Sequence, residues 1–115
     1  MKICCDAWLD NGGKAFGEEC FRLMEAVEKT GSLDKAAADM NLSYCGALTI
    51  LQESEERLGF ALLEREVESA SGGGSRLTSR AKMLMTRYKS FNDEIQEAIR
   101  SIYRKHSYFS DKPDR

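Results

Sequence analysis

Leu77, Ala81, Leu84, Tyr88, Phe91, Ile95, Ala98 and Ile102 follow one another at alternating steps of four and three residues. That spacing puts all eight on one face of a helix. Met85, Ile99 and Tyr103 widen the stripe. The pattern predicts a helix from Ser79 to Lys105, about 40 Å long at about 1.5 Å per residue. A compact chain of 115 residues has a diameter of roughly 34 Å. Such a helix overhangs its own domain while its apolar stripe runs to the end, so the overhang needs a partner surface. A second copy of the chain is the simplest one. Leu84, Tyr88, Phe91, Ile95, Ala98, Ile99 and Ile102 are therefore the expected dimer contacts.

Upstream, the chain is punctuated by short signals. Lys2 to Leu9 is apolar-leaning, and the Asn11-Gly12 turn signal with Lys14-Ala15-Phe16 after it predicts a small hairpin. Cys20, Leu23, Met24 and Val27 mark a helix over 17–30, with Glu18 and Glu19 at its dipole-favoured start and Gly31 as its terminator. Ser32 caps the next helix, whose buried stripe is Leu33, Ala36, Ala37 and Met40. The alanines allow a second helix to approach closely. Asn41 suits a left-handed turn, and Ser43 caps a third helix ending at Gly59. Ala47, Leu48, Leu51 and Leu58 should face inward, and Tyr44, Cys45, Gly46 and Thr49 outward. Phe60 to Val67 is expected as a strand and Arg76 to Thr78 as its partner. The tract Glu68 to Ser75 is too rich in Gly and Ser for anything but a loop. After Tyr108 the chain is polar and carries its one proline, so a frayed tail over 108–115 is expected beyond a single domain over 1–107.

Composition narrows the function classes. The net charge is −2, which disfavours a strong non-specific grip on phosphate. From Ser32 to Gly59 two cations stand against five acids; from Ala81 to Ser107 six cations stand against three. The four cysteines, at positions 4, 5, 20 and 45, include no Cys-x-x-Cys pair, and His106 is the sole histidine. A structural metal is not expected. Reduced cytoplasmic thiols, no signal peptide and no membrane span are expected. No nucleophile–base pair stands out, and the glycine run lacks the Lys-Ser/Thr of a P-loop. No enzymatic activity and no cofactor are expected.

Hairpin, helix, helix-turn-helix, hairpin and long helix is the order of a winged helix-turn-helix, a mainly α fold with small β-hairpins and a long C-terminal dimerisation helix. Gly31-Ser32-Leu33, Ala36-Ala37 and Leu42-Ser43-Tyr44 resemble the helix-turn-helix of the molybdate-responsive regulator (ModE) family, related to the LysR-type N-terminal domain. Gly72 to Thr78 resembles that family's Gly-rich wing and the Leu-Thr that leads into its dimer helix, and Phe60 to Arg65 its intervening strand. The resemblance spans Phe16 to Tyr103. It implies a homodimeric transcriptional regulator of the bacterial cytoplasm that binds double-stranded DNA at a palindromic site. Ser32, Ser43, Tyr44, Cys45, Gly46, Thr49, Arg57, Arg65, Arg76 and Arg80 are the candidate DNA contacts. The family's molybdate-binding domain is C-terminal, and the chain stops before it, so molybdate sensing is not carried over.

Two departures from the family pattern bear on DNA. Cys45, Gly46 and Leu48 stand where basic or hydroxyl-bearing residues and an aromatic are usual, and Ala70 stands for a basic residue in the wing. Weak affinity with a small non-specific component is expected. The alternative is an adaptor that uses the acids Glu53, Glu55 and Glu56 to hold a basic protein; a third reading places a small ligand at the dimer interface.

Overall fold

A computed structural model describes residues 2–65 and 74–106, the side chain of Arg65 excepted. The elements are β1 (Leu9–Asp10), β2 (Lys14–Phe16), α1 (Glu18–Thr30), α2 (Leu33–Asp39), α3 (Tyr44–Leu58), β3 (Leu63–Arg65), β4 (Ser75–Leu77) and α4 (Ser79–Lys105). The strands form two antiparallel two-stranded ladders, β1 with β2 and β3 with β4. Leu63 pairs with Leu77 and Glu64 with Arg76 in the second. The fold is the expected one: a helix-turn-helix followed by the base of a wing and a long helix.

The helix ends follow local chemistry. Gly31 closes α1 at φ 75°, in the left-handed region, with its N–H bonded to the Val27 carbonyl. Ser32 Oγ accepts from the Lys35 N–H, Ser43 Oγ from the Gly46 N–H and Thr78 Oγ1 from the Ala81 N–H. Each hydroxyl satisfies one amide that the first turn leaves unpaired. Asn41 turns the chain between α2 and α3 at φ 58°, and the Leu42 N–H returns to the Ala37 carbonyl at 2.8 Å.

The core gathers Phe16, Leu23, Met24, Val27, Leu33, Leu51, Leu62 and Leu77. Ala36, Ala37 and Ala47 are fully covered where α2 and α3 meet, as close approach of these helices requires. Strand β3 starts at Leu63, three residues later than expected, because the carbonyls of Ala61 and Leu62 accept from the hydroxyl and N–H of Thr78 and the Leu62 N–H is taken by Glu55; its expected end, Glu66 and Val67, lies outside the described residues. So do most of the glycine tract, with Ala70, and the tail after Ser107.

Only the first three turns of α4 sit on this core, through Ala81, Met85 and Tyr88. The helix then runs on, and the longest dimension of the molecule is 61 Å. Tyr88, expected at the dimer interface, is instead a core residue of its own chain. It is 3 % exposed, meets the Phe16 ring edge-on at 5.0 Å and donates from its hydroxyl to the Ala7 carbonyl at 3.1 Å. Burial pushes its pKa up, and the Glu18 and Asp6 carboxylates push the same way. Met83, on the same helix, stands 55 % exposed.

Residues 2–8 do not extend β1. They run as an irregular segment against α4, held by Tyr88 at Ala7 and by Gln96, whose Nε2 donates to the Cys5 carbonyl at 3.2 Å.

Candidate nucleic-acid interface

The helix α3 has a core face and an open face. Ala47, Leu51 and Ser54 are buried, while Leu48, Ile50 and Leu58 are partly so. On the opposite side Cys45, Thr49, Gln52 and Glu56 are all exposed. Steps of four, three and four residues put these four in one row. Tyr44, 49 % exposed, flanks the row at the first turn. The upper part of this face carries no charge, and acids begin only at Glu53 and Glu56. Gln52 was not among the sequence candidates. Its spacing from Cys45 and Thr49 is the signal that reveals it.

At the tip, the first-turn amides of α3 point outward, with the Gly46 N–H taken by Ser43 Oγ at 2.9 Å. Gly46 is not a packing point for another helix: an added Cβ would meet only Ser43 Oγ, at 3.1 Å. Cys45 is an exposed thiol. Ser32 serves α2 as its cap.

The far end of α3 is anchored by three contacts. The buried Ser54 hydroxyl donates to the Ala15 carbonyl. Glu55 Oε2 accepts from the N–H groups of Leu62 and Leu63 at 2.7 and 3.3 Å, so it holds the start of β3 and is not part of a solvated acidic face. Arg57 donates to the Gly12 carbonyl at 2.6 Å, and Asn11 Nδ2 donates to the Arg57 carbonyl at 2.8 Å. Arg57 was a candidate backbone contact. The structure places it at the N-terminal hairpin, about 20 Å from Ser43 at the helical rise.

Two more of the candidate cations, Arg76 and Arg80, are also engaged. Arg76 Nε lies 3.4 Å from Glu64 Oε1 on the wing ladder; both side chains are exposed, so the pair holds loosely. The Arg80 guanidinium stacks over the Phe60 ring at 4.3 Å. The Arg65 backbone pairs with Ser75, and its side chain lies outside the described residues. The wing base is fixed to the helix-turn-helix: the Ser75 N–H donates to the Gly31 carbonyl at 3.0 Å, and Ser75 Oγ accepts from the Leu33 N–H at 3.3 Å.

Cys20, the one buried thiol among the cysteines, has its pKa pushed up to about 11, chiefly by burial. A thiol so shifted stays protonated and inert at neutral pH. Among the described residues no three His, Cys, Asp or Glu side chains converge on a metal position, and no helix is long and apolar enough to cross a membrane.

Comparison with known proteins gives this geometry a lineage. Residues 19–82 match the family described as bacterial regulatory helix-turn-helix protein, lysR family. The chain is 30 % identical to the molybdenum transport protein ModE of Azotobacter vinelandii over 87 residues, covering 76 % of this chain and 32 % of that protein. It is also 30 % identical to the Herbaspirillum seropedicae protein of the same name, over 81 % of this chain and 34 % of the relative. The chain thus spans about a third of the length of the curated relatives it matches. Among solved structures, the CbnR DNA-binding domain in its DNA complex superposes with a TM-score of 0.57 at 23 % identity, over 78 % of this chain and 94 % of that one. ArgP from Mycobacterium tuberculosis superposes with a TM-score of 0.54 at 20 % identity, over 75 % of this chain and 30 % of that one. These two likenesses speak to the winged helix-turn-helix fold. With the family match spanning more than half of its length, this chain belongs to the bacterial regulatory helix-turn-helix proteins of the lysR family, and its N-terminal-domain character is ModE-like.

Proposed function

We propose that the chain is the DNA-reading part of a bacterial transcriptional regulator. It acts as a homodimer on a two-fold symmetric duplex site. The observation that carries this reading is the row Cys45–Thr49–Gln52, left open on α3 while the opposite face is locked into the core. A helix presented this way fits a major groove.

The roles follow from the chemistry of each group. The free amides at the α3 tip bind phosphate without side-chain charge. Gln52 can accept from and donate to an adenine edge, and Thr49 and Tyr44 can bond to bases or phosphates. Cys45 sets its small apolar thiol against a base edge. Arg76 can exchange its exposed carboxylate partner for phosphate, since such a pair contributes little on its own. The lack of charge on the tip separates recognition from attraction: base edges set the specificity, while the electrostatic component stays small.

Fluorescence anisotropy across a salt series tests this. A specific duplex should bind with a log–log salt slope of about −2 to −4, equivalent to a few phosphate contacts at about −0.9 each. Equal, weak and salt-independent binding to every duplex would remove the DNA reading and leave the adaptor on the acidic side of α3. Sedimentation of the same samples reports the subunit count.

A further inference from the structure

The tip of the N-terminal hairpin carries chemistry that the DNA-reading face does not use. The chain has three asparagines. Asn41 precedes Leu42 and Asn92 precedes Asp93, whereas Asn11 precedes Gly12. Asn11 and Gly12 are both exposed. Gly12 sits at φ 78°, in the left-handed region that glycine enters without strain. It has no Cβ, so no side chain on that residue screens its amide nitrogen from the Asn11 carboxamide.

The bonds of the turn leave this nitrogen open. The Asn11 N–H donates to the Gly13 carbonyl at 2.8 Å, and the Gly13 N–H donates to Asp10 Oδ1 at 3.2 Å. Among the described residues, no acceptor takes the Gly12 N–H.

The same two residues tie the hairpin to the end of the reading helix. Asn11 Nδ2 donates to the Arg57 carbonyl at 2.8 Å, and the Gly12 carbonyl accepts from Arg57 Nη1 at 2.6 Å. The guanidinium lies so close to Gly13 that an added Cβ there would overlap it. A chemical change at Asn11-Gly12 therefore acts directly on the anchor of α3.

We propose that Asn11-Gly12 is a self-modification site, an irreversible clock on the anchor of the reading helix. The Gly12 nitrogen attacks Asn11 Cγ and forms a C–N bond. The Cγ–Nδ2 bond breaks, and Nδ2 leaves as ammonia with the proton that Gly12 gives up. Solvent water then opens the resulting imide ring at either carbonyl. One opening leaves aspartate; the other leaves isoaspartate, in which the backbone runs through the side-chain methylene. Both products lack Nδ2, the donor to the Arg57 carbonyl, and turn a carboxylate toward that acceptor. Isoaspartate also lengthens the turn, which moves the Gly12 carbonyl off Arg57 and disturbs the Asp10–Lys14 pairing. While Nδ2 rests on Arg57 the carboxamide is pinned. Each opening of this exposed tip frees Cγ for attack, so folding slows the reaction without stopping it.

The test ages the full chain at mildly alkaline pH, folded and in concentrated urea, and follows each asparagine by peptide mass mapping. The folded chain should gain one mass unit at Asn11, at a rate within about tenfold of the unfolded chain, as a low-cost local opening requires. Intact Asn11 in the folded chain, with conversion in urea, would show that the fold protects the pair and would overturn the site. Equal conversion at Asn41 and Asn92 would remove the case for Gly12. Converted chains, separated by their added negative charge, should unfold at lower urea concentration, with the folding constant reduced about tenfold for the exposed hydrogen bonds lost. In Arg57→Ala, which already lacks the guanidinium tie, converted and unconverted chains should differ less. An unchanged midpoint in the parent, or an equally large difference in Arg57→Ala, would break the link to α3. Mass and stability are the readouts, so these outcomes stand apart from the DNA-reading proposal.

Discussion

The two ends of α3 are built on opposite plans. The C-terminal end is tied by Ser54 and Arg57 to the N-terminal hairpin and by Glu55 to the start of β3. The N-terminal end carries one cap, an exposed tyrosine, a thiol and a glycine. At the C-terminal end the ionisable and hydrogen-bonding groups fix the position of the helix. A helix anchored from behind can present a neutral row in a fixed orientation. Orientation then does part of the work that charge does in a more basic reading helix.

That contrast can be broken at either end. The largest effect is expected from Leu51→Ala. Leu51 is 1 % exposed under α3, so truncation should cost about 2–5 kcal/mol in chemical denaturation, affecting both ends together. Ser54→Ala leaves the Ala15 carbonyl buried without its donor, at a cost of about 1–3 kcal/mol. It should destabilise the fold with the exposed row still intact. Gln52→Ala should leave stability within about 0.5 kcal/mol, as a surface change does, and weaken binding to the cognate duplex by about 1–3 kcal/mol. A loss of stability with unchanged duplex affinity would reverse the assignment of the two ends. Arg57→Ala removes an exposed contact to the hairpin and should cost about 0.5–1.5 kcal/mol, with little change in the salt slope of DNA binding. A salt slope reduced by about 1 would return Arg57 to the phosphate contacts.

Cys20, packed behind α3, adds a pH dependence. Its folded pKa of about 11 lies above the ordinary thiol value of 9.0. Between those values the unfolded chain releases a proton that the folded chain keeps, so stability falls as pH rises through that window. Tyr88 acts in the same direction. Cys20→Ala should flatten the decline when denaturant midpoints are followed from neutral to alkaline pH.

Most of the fold was legible because it rests on local chemistry. Ser32, Ser43, Gly31 and Asn41 each act within a few residues of themselves, and the α4 stripe is a pure periodicity. What escaped the sequence depends on contacts between distant segments. Ser54 reaches a carbonyl 39 residues away, and Tyr88 and Gln96 hold the chain start across 81 and 91 residues. Glu55 read as part of an acidic contact surface because its targets, the Leu62 and Leu63 amides, have no side-chain signature. Tyr88 read as an interface residue because periodicity assigns a face and does not say which chain covers it. The open row of α3 was half legible: Cys45 and Thr49 were found as outward residues near the helix start, and Gln52, one step further along the same row, was not.

Gly74 sits so near the Gly31 carbonyl that an added Cβ would lie 2.9 Å from that oxygen, and the next residue, Ser75, is hydrogen-bonded on both sides of the α1–α2 corner. Wing base and reading helix therefore rotate as one piece. In the proposed homodimer, tolerance for different operators then has to come from the distance and angle between the two halves, which the long α4 helices would set.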